Sequence, residues 1–143
     1  MSEASATPDL VERWQKAAEA HARRDFHTMM RFFAPDAVWD ASPAGFGIFE
    51  GTAAIRSFLE DWGGAYEDYE YEQEEGRDLG NGVVFAVARI GGRVAGGAGR
   101  VQERRCYTVT WEDGRIVRVM GRQMNVTIDE ARATAERLAE QRG

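Results

Sequence analysis

Asp40 has the sequence surroundings best suited to proton chemistry. It closes the run Phe32-Phe33-Ala34-Pro35-Asp36-Ala37-Val38-Trp39-Asp40, directly after a tryptophan. Burial disfavours a charged carboxylate and raises its pKa toward neutrality. A carboxylate held in an apolar cavity could therefore take a proton from the carbon beside a carbonyl and return it. An aspartate at a strand end can also simply cap the loop that follows, and the local sequence leaves both readings open.

Two arginines could supply a countercharge. Phe85, Val87 and Arg89 alternate along one apolar stretch, as Arg104, Cys106 and Thr108 do along a later one. If these faces line a cavity, Arg89 and Arg104 would bind an enolate or a substrate carboxylate. If they face outward, the same side chains would form salt bridges across a dimer, and strand geometry alone does not choose. An ion pair between Arg89 and Asp40 would lower the carboxylate pKa and weaken it as a base. Trp14, Trp39, Phe58 and Trp62 could wall a cavity for a flat or polycyclic apolar ligand, although core packing also places aromatic residues at helical spacing. Tyr66 could add a hydroxyl donor or lie half-buried at a helix end.

These residues need elements to position them. Thr7-Pro8-Asp9 offers an N-cap, a proline at the first helical position and an acid in the first turn. Leu10, Val11, Trp14, Ala17, Ala18 and His21 then follow one helical stripe. Asp25 caps a second helix with Phe26, Met29, Met30 and Phe33 on one face, ended by Pro35-Asp36. Ala37 to Asp40 reads as a short strand and Ala41 to Glu50 as a loop. Thr52 caps a third helix that Gly63-Gly64 stops. From Tyr66 the period becomes two, and Asn81-Gly82 and Glu112-Asp113-Gly114 punctuate the strands Val83–Ile90, Gly99–Trp111 and Ile116–Met124. Thr127 to Glu130 has the capping-box form of a last helix running toward Gly143.

Helices followed by hairpin-linked strands predict one α+β domain over residues 1–143, with residues 1–6 as a disordered lead. Its N-terminal helices should pack on the concave face of a curved antiparallel sheet that glycines bend into a cone, with a C-terminal helix added. A net charge of -6, from 18 basic and 24 acidic residues, and the lack of a basic cluster argue against nucleic acid. With no signal-like N-terminus and no apolar run of about 18 residues, the expectation is a cytoplasmic protein without a membrane partner. Cys106 is alone, so it reads as a small buried hydrophobe. His21 and His27 lack the companions of a zinc site, and GGRVAGGAGR lacks the helix that a phosphate loop requires. Neither metal nor cofactor is expected.

Trp14, Arg24-Asp25-Phe26, FFAPDAVWD, Phe49-Glu50-Gly51 through Phe58-Leu59, and Asp113-Gly114-Arg115-Ile116-Val117 occur in this order along nearly the whole chain. In that order they resemble the SnoaL-like branch of the nuclear transport factor 2-like superfamily. The resemblance implies a cone-shaped fold around a pocket, as in ketosteroid isomerases, polyketide cyclases and limonene epoxide hydrolases. Asp40 matches the isomerase general base most nearly. The isomerase tyrosine and second acid are replaced by Trp14 or Ala17 and by Arg104, and Gly91 and Gly121 stand where an epoxide hydrolase needs acids. The expected function is therefore a cofactor-independent proton-transfer enzyme, an isomerase, cyclase or dehydratase acting on an apolar carbonyl compound. Asp40 would be its base and Arg104 or Arg89 its anion stabiliser. The alternative is a non-catalytic ligand-binding or dimerisation module. Strands patterned on both faces further predict a homodimer through the outer sheet face.

Overall fold

A computed structural model of the chain describes residues 9–97, 99–123 and 127–143. The expected lead, with Thr7 and Pro8, lies outside the described residues. Helix α1, Leu10–Ala22, is capped by Asp9, whose carboxylate accepts from the Glu12 amide at 3.0 Å. Asp25 caps the single turn α2, Phe26–Met30, in the same way through Thr28. The chain then extends sooner than its spacing predicts, because Phe33 opens strand β1, Phe33–Asp40, instead of closing a helix. Phe33 is buried opposite Ile116, and tertiary packing decides a position that fits either period. Pro35 has no N–H to give and lies where the β1 register shifts, between Phe33 and Val38.

The stretch expected to be a loop contains a short 3₁₀ turn, Ser42–Ala44, and strand β2, Ile48–Glu50, which pairs back onto β1. Gly51, at φ 86°, caps helix α3, Thr52–Gly64, where Thr52 was expected to do so. Strands β3 (Glu70–Gly80), β4 (Val83–Arg93), β5 (Arg100–Glu112) and β6 (Arg115–Gln123) form an antiparallel meander, and α4 spans Ile128–Arg142. Asn81 and Gly82 both take positive φ, as the predicted hairpin turn requires. Thr127 caps α4 by accepting from the Glu130 amide at 3.0 Å.

The sheet order is β2-β1-β6-β5-β4-β3, antiparallel except where β1 lies parallel to β6. That pairing joins chain segments some eighty residues apart and has no local sequence signal. The fold is α+β, with the N-terminal helices on the concave face of a curved sheet. Bulges at Gln73/Glu75 and Thr110/Trp111 help bend it. Gly91 allows an approach that no side chain would permit, since a Cβ there would lie 2.1 Å from the Val101 carbonyl oxygen.

Each face of the sheet buries a different set. Val84, Ala86, Ala88 and Ile90 of β4 meet Tyr107, Val109 and Trp111 of β5 beneath α1 and α3. Phe85, Val87 and Cys106 face the other way and are covered by Ala131 and Ala135 of α4. The chain thus supplies through α4 part of the apolar partner that the two-faced strands demand.

Candidate ligand-binding site

The inner face of the sheet and the helices above it enclose a chamber of rings. Period-three-and-four spacing aims Trp14, Ala18 and His21 of α1 at it, along with Phe58, Leu59 and Trp62 of α3. Strand alternation contributes Trp39 of β1, Tyr71 of β3, and Arg105 and Tyr107 of β5. Trp14 lies 5.3 Å from Tyr107 and 6.3 Å from Trp39, centroid to centroid, and Trp39 meets Tyr107 edge-on at 6.3 Å. The Trp14 indole N–H donates to the Tyr71 hydroxyl at 3.1 Å, and that hydroxyl donates to Gln73 Oε1 at 3.1 Å. So closely packed, the rings leave about 30 Å³ of free room, space for one or two water molecules.

Phe58, Trp62 and Arg105 also line a second, open space of about 480 Å³, together with Phe46, Tyr66 and Glu103. This is the mouth of the chamber. Phe46 is 45% exposed and stands edge-on to Trp62 at 5.0 Å. Between the two spaces lies Arg105, only 5% exposed. Its Nε and Nη2 donate to one Glu103 oxygen at 3.2 and 2.8 Å, and its guanidinium lies 4.1 Å from the centre of the Trp62 ring.

Burial fixes the charge state of the other polar groups in the chamber. The His21 Nε2 donates to the Leu59 carbonyl at 3.2 Å, and burial lowers the imidazole pKa to about 4, so the ring is neutral at neutral pH. Burial pushes Tyr107 up to about 12 and raises Tyr69 and Tyr71 as well, keeping all three phenols protonated. Tyr66 at the mouth is raised by burial and by the nearby Glu103 charge.

The sequence-predicted residues divide between the two faces. Trp14, Trp39, Phe58 and Trp62 meet around the chamber, and Tyr66 borders its mouth. Asp40 does not join them. It is buried, at 7% exposure, but Trp39 and Ala41 on either side take the inner face. The Asp40 carboxylate points outward, where it accepts from the Ser42 amide and hydroxyl and from Arg118 Nη2 at 2.9 Å. The picture of Asp40 as a base inside an apolar cavity is corrected accordingly. Arg89 and Arg104 are also on the outer face, half-exposed, and both pair with Glu74, at 3.0 and 2.9 Å. The ion pair considered between Arg89 and Asp40 is replaced by these contacts.

Sequence reasoning missed Arg105, Tyr69, Tyr71 and Tyr107, and gave His21 only a packing role. The signal for β5 was present: Arg105 and Tyr107 share parity with Val109 and Trp111, the more apolar set. Among the described residues, no group of three or more His, Cys, Asp and Glu side chains could hold a metal ion.

The sequence matches the SnoaL-like domain family over residues 11–119, and the chain belongs to that family. Among curated proteins, none matches it. Its fold is similar to that of Bal32a, from a soil-derived mobile gene cassette, at 18% identity and a TM-score of 0.70, covering 80% of this chain and 88% of the other. A Shewanella putrefaciens CN-32 protein, described provisionally as a SnoaL-like polyketide cyclase, has a TM-score of 0.71 at 15% identity, covering 92% and 90%. TerC, co-crystallised with polyporic acid, has a TM-score of 0.69 at 18% identity, covering 84% and 95%. At these identities the likeness is one of fold.

Proposed function

We propose that the chain binds a flat, largely apolar small molecule, with its rings across the mouth and one end in the chamber. The observation carrying this reading is that Phe58, Trp62 and Arg105 border both spaces, joining an open mouth of about 480 Å³ to a narrower, half-enclosed chamber of aromatic rings. The co-crystallisation of TerC with polyporic acid supports a ligand-holding role for the fold. The experiment is a thermal-shift screen of steroids, terpenoids and polyketide-like aromatics, followed by Trp62→Ala on each hit. Stabilisation that the variant weakens at least tenfold in affinity is expected; a library with no stabilising compound would refute the reading.

A second reading, proton-transfer catalysis on an apolar carbonyl compound as an isomerase, cyclase or dehydratase, is favoured by Arg105 sharing the chamber walls with the protonated phenols of Tyr69 and Tyr107. Such donors suit an enolate oxygen. The same walls offer a weak base, because the buried His21 has a pKa of about 4. Binding without turnover is therefore the reading adopted, and mass spectrometry of each hit after incubation decides between the two.

We also propose a cytoplasmic homodimer. Since α4 covers Phe85, Val87 and Cys106, a second copy would meet the remaining outer face around Thr108, Thr110 and Met120. Light scattering at micromolar concentration should give twice the chain mass. Among the described residues no helix is long and apolar enough to cross a membrane.

A further inference from the structure

We infer that the ligand carries an anionic head, a carboxylate or an ionised phenol or enol, which enters the chamber and is bound by Arg105 while its flat ring stays in the mouth. This rests on the binding reading above and names the chemical class of the ligand. Size is the first argument. About 30 Å³ suits a group of two or three heavy atoms and no ring, whereas the 480 Å³ mouth suits the ring.

Charge distribution is the second. Arg105 is the one formally charged side chain among the described residues lining the chamber, since His21 is neutral there and the phenols are protonated. The carboxylates of Asp61 and Glu103 border the mouth only. A group moving inward thus leaves the acids behind and meets the guanidinium, with the Tyr69 and Tyr107 phenols on the same walls. The Tyr71 hydroxyl already donates to Gln73.

The third argument is the state of Arg105 itself. Its side chain is 7% exposed, and the Glu103 side chain paired with it is 31% exposed, so the pair is anchored at one end and reachable at the other. Both of its hydrogen bonds go to a single Glu103 oxygen. A planar ligand carboxylate could take over that fork with two parallel bonds, releasing Glu103 to solvent. The Trp62 ring under the guanidinium holds it flat for this exchange, and the same ring borders the mouth where the ligand ring would lie.

The test is isothermal titration with 2-naphthoate and 2-naphthamide, which share a flat ring and a shape and differ in charge. The wild type is expected to bind naphthoate at least tenfold more tightly. Arg105→Met should abolish the preference for naphthoate over naphthamide. Glu103→Gln, a change at a partly exposed side chain that the fold should tolerate, should tighten naphthoate severalfold by removing the internal competitor. Arg104→Met, one residue away on the outer face, should change neither. Equal binding of the two probes by the wild type, or a naphthoate preference that survives in Arg105→Met, would overturn the anionic head bound by Arg105 and leave the binding reading intact. If neither probe binds, this inference fails; the binding reading fails with it only if the thermal-shift library also yields no stabilising compound.

Discussion

Arg104 and Arg105 are neighbours in the chain and opposites in the molecule. Arg104, on the outer face, is half-exposed and shares Glu74 with Arg89. Arg105, on the inner face, is buried against Trp62 with one partly exposed partner. Trp39 and Asp40 repeat the contrast, the ring turned to the chamber and the carboxylate to Arg118. On the outer face, charges neutralise one another close to water, where such pairs contribute little. On the inner face, rings shield the Arg105–Glu103 pair from water, and charge there keeps more of its reach. Strand parity, more than residue type, therefore decides which groups can recognise a ligand.

Stability measurements can break this comparison. Trp39→Ala removes an indole packed against Trp14, Tyr107 and Phe58 and should cost about 3–5 kcal/mol by chemical denaturation. A loss below about 1 kcal/mol would mean that the chamber is loosely packed.

Next in size is a pH effect. The folded His21 has a pKa of about 4 against 6.5 ordinarily, so the unfolded chain takes the proton first as pH falls. Above about 6.5 the group is neutral in both states and has no effect. Between about 6.5 and about 4 the protein should lose roughly 3 kcal/mol, the free-energy equivalent of that difference. Asp25 and Asp68 have lowered pKa values through hydrogen bonds to Thr28 and Arg93, and their losses come at lower pH, as the pH falls through those values. Urea unfolding at pH 7.5 and pH 4.5 measures the effect, and His21→Asn should flatten it.

The outer face should respond less. Asp40→Asn keeps an acceptor for Ser42 and loses the charge facing Arg118, which is 42% exposed, so a cost of about 1 kcal/mol is expected. Ligand affinity should be unchanged, and a tenfold loss would return Asp40 to the site. Arg104→Ala should stay within about 0.5 kcal/mol, since it removes one half-exposed ion pair.

Much of this organisation could be read from the chain. Asp25, Thr127 and Asn81-Gly82 announce their caps and turn because those devices are local, and the apolar stripes of α1 and α3 mark Trp14, Phe58 and Trp62 as inward-facing. Phe33 was misassigned because its spacing from Met29 and Met30 also fits a helix. Long-range pairing settled what no local pattern could: β1 against β6 turns Trp39 inward and Asp40 outward. The β5 pattern held its information in plain view, yet a basic residue among apolar ones draws the eye to Arg104 as readily as to Arg105. Parity with Val109 and Trp111 separates the pair, and the packing of Trp62 against Arg105 marks the inner one. The placement of α4 over Phe85 and Cys106 was likewise beyond local reading, since its alanines carry little directional signal.

The four tryptophans provide the most direct test. Trp14, Trp39 and Trp62 line the chamber, whereas Trp111 is buried elsewhere on the inner face, beside Arg13. In a proton–nitrogen correlation spectrum, titration with 2-naphthoate should shift the indole resonances of the first three and leave Trp111 in place. Shifts confined to Trp111, or four unmoved indoles at a concentration where calorimetry shows binding, would put the ligand elsewhere and contradict the account.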